Sequence, residues 1–283
     1  LADGSTIYPS RLVQPTPRYD TGVFFDSGQD PQRKDVLEML LRMFDRERLR
    51  MIPTLEFAAP LPALEEQLRR GDPDAAGLEW IGPSGGTWSQ GYVSRRGLAP
   101  YYNVLDPRVQ EAMLAVVQEL LTRYVQHPSF NGLAIKLSGD GYAQLPGPEW
   151  GLDDATIARF QRDTHVKVPG SGPGRFAQRA QFLTQEPQQR AWLYWRAEEL
   201  GRFYRRLQAE LTAVKPGCRL YLAGTDLFSA PDVQQALRPA LPRRHGPDEA
   251  LLLLGIDLRQ YQDEHAPLLL HSAQIQSGRL SAQ

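Results

Sequence analysis

The chain has 283 residues, of which 41% are hydrophobic, and this is enough for one large domain or two small ones. Its 32 Lys and Arg residues nearly balance its 33 Asp and Glu residues, and the net charge of −1 argues against a nucleic-acid-binding protein. The single cysteine, Cys218, excludes an internal disulfide framework and a multi-cysteine zinc site, and no apolar run reaches the ~18 residues of a membrane helix.

The first helix is predicted to begin at Asp30-Pro31, because Asp is a good N-cap and Pro suits the first helical position. Apolar residues between Val36 and Phe44 then recur at helical spacing. The segment Met51–Phe57 is predicted as a strand. The sequence starts with Leu rather than Met and shows no signal-peptide pattern, so we expect a fragment that holds only part of a strand before this helix.

A long excursion follows between residues 58 and 102. It contains one short amphipathic helix around Leu61–Leu68 and then a Gly-rich segment with several aromatic residues, among them Trp88. Segments of this length inside a compact domain are commonly lids or binding loops. The alternative is an ordinary loop whose aromatic side chains pack on the rest of the domain.

Helix and strand signals alternate after the excursion. Asp106-Pro107 starts a helix that is predicted to reach about His127, whose side chain would cap its C-terminus. Leu133–Leu137 is predicted as a buried strand. Leu152–Asp154 caps a short helix, the Gly-rich residues 168–174 are a connector, and Pro187 opens a long helix that ends near Val214.

The last part of the chain carries three more predicted strands and a short helix from Pro231. The strands are Arg219–Asp226, Leu251–Asp257 and Leu268–Gln274. Continuous apolar strands that alternate with helices indicate a parallel sheet covered on both faces. Since we count about five strands after a partial first one, against the eight of a closed barrel, we expect an α/β fold: one partial (β/α)8 TIM-type barrel over residues 1–283, incomplete at both ends.

Four carboxylates lie at the carboxyl ends of predicted strands: Glu56, Asp140, Asp226 and Asp257. In a parallel barrel the carboxyl ends of all strands meet at one rim, so these side chains are candidates for a common site. Glycoside hydrolysis uses two carboxyl groups, one as acid and the other as nucleophile or base. The alternative for each is a structural role, since an Asp at such a position often caps the next helix.

The loop after Leu133–Leu137 supplies candidate binding residues. Tyr142 and Trp150 offer flat apolar faces to a sugar ring, as does Trp88, and Glu149 and His271 offer polar contacts. No histidine or carboxylate spacing typical of a metal site is present, and Ser138 lacks the Gly-x-Ser-x-Gly elbow of serine hydrolases. We therefore expect no metal and no cofactor.

Several segments together resemble a known group of proteins. They are Asp3–Ser10, Asn103–Gln110, His127–Ala134, Asp140–Tyr142 and Trp192–Arg196. They resemble the family-10-glycosylhydrolase-like group of bacterial barrels and, more loosely, clan A enzymes such as the β-galactosidases. The resemblance implies a barrel that binds or cleaves carbohydrate, a secreted or envelope location, and Asp140 in the acid/base position at the end of the fourth strand.

The sequence departs from clan A at both catalytic positions. Gly139-Asp140 stands where clan A has Asn-Glu, and the seventh strand would end with His271 and Gln274 rather than with a nucleophilic Glu. Two hypotheses follow. The chain is a glycoside hydrolase in which Asp140 acts with Glu56, Asp226 or Asp257, or it is a non-catalytic carbohydrate-binding or interaction barrel within a larger secreted or envelope protein.

Overall fold

A computed structural model of the chain describes residues 6–13, 35–71, 75–91, 102–228, 246–263 and 266–270. The helices are α1 (Val36–Arg46), α2 (Pro62–Arg69), α3 (Trp88–Gly91), α4 (Pro107–Tyr124), α5 (Asp154–Thr164), α6 (Arg175–Leu183), α7 (Gln188–Val214) and α8 (Pro247–Leu253). A 3₁₀ helix covers Leu258–Tyr261. The strands are β1 (Thr54–Leu55), β2 (Gly132–Ser138), β3 (Arg219–Asp226) and β4 (Leu268–Leu270).

The described strands form one four-stranded sheet in the order β1-β2-β3-β4. All three neighbouring pairs are parallel, and helices connect the strands along the chain. The predicted α/β class and the parallel sheet are therefore confirmed. The sheet is of the kind that a partial TIM-type barrel contains, and closure into a barrel stays a prediction.

The two faces of β2 differ in composition. Leu133, Ile135 and Leu137 are fully buried, whereas Lys136 on the alternate face is partly exposed. The register pairs Lys136 with Ala223 of β3, so this second face continues across the sheet. A single lysine in an apolar run thus marks the face of the sheet that carries polar groups.

The helices with strong local start signals form where they are predicted. Asp106 caps α4 by accepting a hydrogen bond from the Arg108 backbone N–H at 2.9 Å, and Asp153 caps α5 through Thr156 N at 2.8 Å. The long helix α7 starts just after Pro187 and ends at Val214, as expected. The side chains that it buries include Trp192, Trp195, Phe203, Leu207 and Leu211.

The prediction of a strand at Leu251–Asp257 is wrong. The first three residues of this segment end helix α8, and a turn follows them. Helix α8 has Pro247 in its first turn and is capped by the Glu249 carboxylate, which accepts from Gly246 N at 2.9 Å. The run of leucines contains no β-branched residue before Ile256, and leucine is a good helix former. A short apolar run does not distinguish a buried helix from a strand.

Two other boundaries differ from the predictions, and one further helix is present that the sequence analysis does not predict. Helix α1 begins at Val36, and its N-cap is Asp35, whose side chain accepts a hydrogen bond from Glu38 N. The predicted start at Asp30-Pro31 lies outside the described residues. Pro231 and residues 271–274 also lie outside them. Strand β1 is shorter than Met51–Phe57 because Pro53 has no N–H for a sheet hydrogen bond. Helix α6, which follows the Gly-rich connector, was not predicted.

His127 links α1 to the turn before β2 instead of capping α4. Its Nδ1 lies 2.7 Å from Asp45 Oδ2 and its Nε2 lies 2.9 Å from Glu38 Oε2. Burial of the ring disfavours its charged form, but the hydrogen bonds to Asp45 and Glu38 outweigh burial and raise the pKa of His127. Hydrogen bonds from His127 and Ser129 lower the pKa of Asp45 to about 2.

We expect this contact to make the stability of the protein depend on pH above neutrality. A raised pKa in the folded state stabilises the protein fully below the unfolded-state pKa of ~6.5, and this stabilisation is lost as the pH rises through the folded-state value. Urea midpoints measured from pH 5.5 to 9 should fall with pH in the wild type and much less in His127→Gln. The control is His165→Asn, which removes an exposed histidine with a φ of 60°. Parallel curves for His127→Gln and the wild type would contradict the expectation.

Candidate functional site

The turn after β2 places Asp140 beside the segment that follows β1. The backbone N–H of Gly141 donates to Ser138 O at 3.1 Å, and the N–H of Tyr142 donates to Phe57 O at 2.8 Å. A Cβ on Gly141 would lie only 3.0 Å from Phe57 O, so the close approach of the two chains favours glycine here. Asp140 is partly exposed at this edge.

The loop beyond this turn also reaches the end of β3. The Gln144 side-chain amide donates to Leu227 O at 3.3 Å, directly after Asp226, the last residue of β3. The register pairs the Cα of Asp226 with that of Ser138. Glu56, Asp140 and Asp226 therefore belong to the same edge of the sheet, and we call these three residues the strand-end carboxylates.

Glu56 is a buried member of this group. Its side chain is 2% exposed and pairs with Lys136 Nζ at 3.2 Å, and the Lys136 side chain is 18% exposed. Both residues extend the row of the sheet that starts with Thr54 and Ala134, which are register partners. The ion pair compensates a carboxylate charge that would otherwise be costly to bury.

Two further polar atoms at this edge are buried without a hydrogen-bond partner in the described part of the chain. They are Ser138 Oγ and Gln144 Oε1. Buried polar atoms are normally satisfied, so unsatisfied ones near strand ends are consistent with a site that binds water or a ligand hydroxyl. Sequence reasoning missed Lys136, Ser138 and Gln144 as contributors. The charged residue inside an apolar strand was the available signal for Lys136.

Asp257 is not a strand-end residue, because helix α8, which ends at Leu253, and a turn precede it instead of a strand. It caps the 3₁₀ helix by accepting from Arg259 N at 3.1 Å, and the Arg259 guanidinium also donates to both of its carboxylate oxygens. The hydrogen bonds from Arg259 lower the pKa of Asp257. Asp257 lines a cavity of about 180 Å³ together with Tyr194 of α7 and Leu252 of α8. The capping role was the alternative for this residue.

The predicted aromatic contacts differ in how much surface they offer. Tyr142 is 1% exposed and donates its hydroxyl to Ala59 O at 2.8 Å, and Trp88 is 3% exposed. Trp150 is partly exposed and packs edge-to-face on Trp88, with ring centroids 4.5 Å apart. Glu149 is partly exposed beside it, and His271 lies outside the described residues. Of the predicted binding residues that the structure describes, Trp150 and Glu149 are thus the partly exposed ones.

The excursion packs under this same loop. Ile81 O accepts hydrogen bonds from the N–H groups of Gly151 and Leu152, each at 3.1 Å. The Trp150 ring occupies the space where a Cβ on Gly82 would lie. The aromatic residues of the excursion that the structure describes therefore contribute to a core beneath the loop.

A buried arginine lies below the Pro146–Trp150 segment. Arg196 of α7 donates to Pro146 O at 2.6 Å, and its guanidinium lies 5.5 Å from the centroid of the Trp192 ring. Burial lowers the pKa of Arg196 to about 10, and the Glu149 carboxylate opposes this decrease. The sequence marked Arg196 only as part of a resembling segment.

Within the described ranges, no three His, Cys, Asp or Glu side chains are grouped so that they could hold a metal ion. None of the helices in the part of the chain that the structure describes combines the length and hydropathy needed to cross a membrane. The candidate site at this edge of the parallel sheet comprises the strand-end carboxylates and Lys136, and the loop that follows β2 carries Trp150 and Glu149.

Comparison with known proteins gives a family. The solved structure of a β-galactosidase from Rahnella sp. R3 is similar to this chain with a TM-score of 0.42 and 13% sequence identity, over 69% of this chain and 29% of that one. The chain thus spans less than a third of that protein's length. No curated protein sequence matches significantly. Residues 1–231 match the family model described as glycosyl hydrolase-like 10, and the chain belongs to this family.

Proposed function

We propose that the protein hydrolyses a poly- or oligosaccharide with paired carboxylates at the carboxyl edge of its sheet. The observation that carries the proposal is the path of the loop after β2. It bonds to Phe57 O on one side and to Leu227 O on the other, and so brings Asp140 to the edge that Glu56 and Asp226 share. Membership of a glycosyl hydrolase-like family supports carbohydrate as the ligand class.

In this proposal Asp140 is the acid/base. It is partly exposed, and the resemblance to clan A enzymes puts it at the acid/base position. Its partner is Glu56 or Asp226. Asp257 is not included because Arg259 holds it as a cap. Trp150 provides an apolar face for a sugar ring and Glu149 a hydrogen-bond acceptor for its hydroxyls.

The second candidate function is carbohydrate binding without cleavage. The pairing of Glu56 with Lys136 favours it, because a buried, ion-paired carboxylate is poorly placed to attack a substrate. Gly139-Asp140 in place of the Asn-Glu pair of clan A favours it as well.

A panel of poly- and oligosaccharides tests both candidates. We expect mass spectrometry to detect shortened glycans and new reducing ends after incubation with the wild-type protein. Binding in calorimetry without any shortened product would support the binding barrel. A panel that is neither bound nor cut would contradict both candidates.

A further inference from the structure

Arg196 is buried in an unusual way. It is 1% exposed, and of its guanidinium nitrogens Nη2 donates to Pro146 O, while Nε and Nη1 have no hydrogen-bond partner among the described residues. The rings of Trp192 and Trp80 also lie beside it, with centroids 5.5 Å and 5.9 Å from the guanidinium carbon. A buried guanidinium with unused donors is costly, and an apolar side chain would fill this space at lower cost.

Arg179 of α6 shows the ordinary solution. It is 8% exposed, donates to Leu152 O at 2.8 Å and forms an ion pair with Asp154 at 2.6 Å. Both arginines therefore bind a backbone carbonyl of the loop after β2. Only Arg179 has its charge neutralised by a directly bonded carboxylate.

Helix α7 holds the loop at two points. Trp192 and Arg196 are four residues apart and so lie on one face of the helix. Trp192 Nε1 donates to Pro148 O at 2.8 Å, and Arg196 donates to Pro146 O at 2.6 Å. The two bonds fix alternate carbonyls of a short stretch in which two residues are prolines. Glu149 and Trp150 follow immediately.

The Glu149 carboxylate depends on this local arrangement. A Cβ on Gly147 would overlap the carboxylate oxygens, so the side chain of Glu149 folds back over the glycine. Glu149 is also the carboxylate whose charge acts on Arg196. The two anchored carbonyls, of Pro146 and Pro148, and the glycine thus immediately precede Glu149 in the chain.

We infer that Arg196 is a positioning residue: from beneath the Pro146–Trp150 segment it anchors the backbone and attracts the Glu149 carboxylate into the place where it binds a saccharide hydroxyl. This inference rests on the proposed function, because it takes saccharide as the ligand. Glu149 contacts the ligand, and Arg196 acts through Glu149. Losing the anchor should weaken ligand binding more than it slows the chemical step.

Arg196→Met tests the inference, since methionine keeps an apolar stem and removes the charge and the donors. We expect KM for the best substrate of the panel to rise by about tenfold or more, as for loss of a hydrogen bond to a charged group, with kcat per folded molecule much less affected. Arg196→Lys, which keeps the charge, should restore part of the loss. The matched control is Arg179→Met, for which we expect a lower melting temperature and an unchanged KM.

A double-mutant cycle identifies Glu149 as the residue through which Arg196 acts. Glu149→Gln alone should raise KM, and Arg196→Met added to Glu149→Gln should raise it little further. If Arg196→Met does not fold, Gly147→Ala replaces it, because the added methyl displaces the Glu149 carboxylate and leaves Arg196 in place. Additive effects, or equal KM changes in Arg196→Met and Arg179→Met, would overturn the inference.

Hydrogen exchange separates this inference from the proposed function. If the wild-type protein neither binds nor cleaves the panel, the proposed function fails, and the anchoring is judged by the exchange of the amides of residues 147–151. We expect faster exchange at Gly147 and Glu149–Gly151, the residues of this stretch that carry an N–H, in Arg196→Met, or in Arg196→Lys if the methionine variant does not fold. The amides of α4 should be unchanged. Exchange at 147–151 equal to that of the wild type would overturn the anchoring as well.

Discussion

Asp140→Asn should reduce glycan cleavage by about 10²–10⁴-fold in kcat, the range for loss of a general acid or base. Asparagine has nearly the same shape as aspartate but cannot transfer a proton. Since Asp140 is partly exposed on the turn after β2, the substitution should leave the melting temperature unchanged. Initial rates of product formation, measured with enzyme matched for folded fraction, check the expectation.

The control is Asp263→Asn, which neutralises an exposed carboxylate in a turn. It should retain full activity. Glu56→Gln and Asp226→Asn then identify the second carboxylate, because only the true partner should cause a comparable loss. If Asp140→Asn cleaves the responsive glycan at the wild-type rate, Asp140 is not part of the machinery.

Trp192→Ala should lower the free energy of unfolding by about 3–5 kcal/mol, the usual cost of truncating a buried tryptophan. Trp192 is fully buried, stacks on Trp195 with ring centroids 5.4 Å apart, and meets Phe160 edge-to-face at 5.1 Å. It also anchors the loop through Pro148 O. Denaturant unfolding followed by circular dichroism gives the value.

Two variants separate the contributions of Trp192. Trp192→Phe keeps an aromatic ring and loses the hydrogen bond to Pro148, so we expect a clearly smaller loss than for alanine. Tyr194→Ala, on the same helix but partly exposed, should cost about 1 kcal/mol or less. If Trp192→Ala lowers the free energy of unfolding no more than Tyr194→Ala does, the expectation is wrong, and the neighbouring side chains must move into the space that the ring leaves.

Local signals in the sequence were sufficient where a cap or a proline defines an end. Asp106, Asp153 and Pro187 each mark a helix start that the structure confirms, because capping involves only neighbouring backbone groups. The apolar run Leu133–Leu137 likewise forms the predicted buried strand. The prediction of a strand for the run of leucines before Asp257 is wrong, because a short apolar run fits a helix as well as a strand and only the tertiary context decides between them.

The strand-end position of Glu56, Asp140 and Asp226 followed from the sequence by itself, because parallel strands bring their carboxyl ends to one edge whatever the connections are. What those side chains meet was decided only by the tertiary structure. Lys136 of β2 forms an ion pair with Glu56, which follows the neighbouring strand β1. Arg196 of helix α7 donates a hydrogen bond to Pro146 O in the loop after β2. The two residues of each pair are far apart in the chain. The packing of the elements brings them together, and residue spacing along the sequence does not predict that packing.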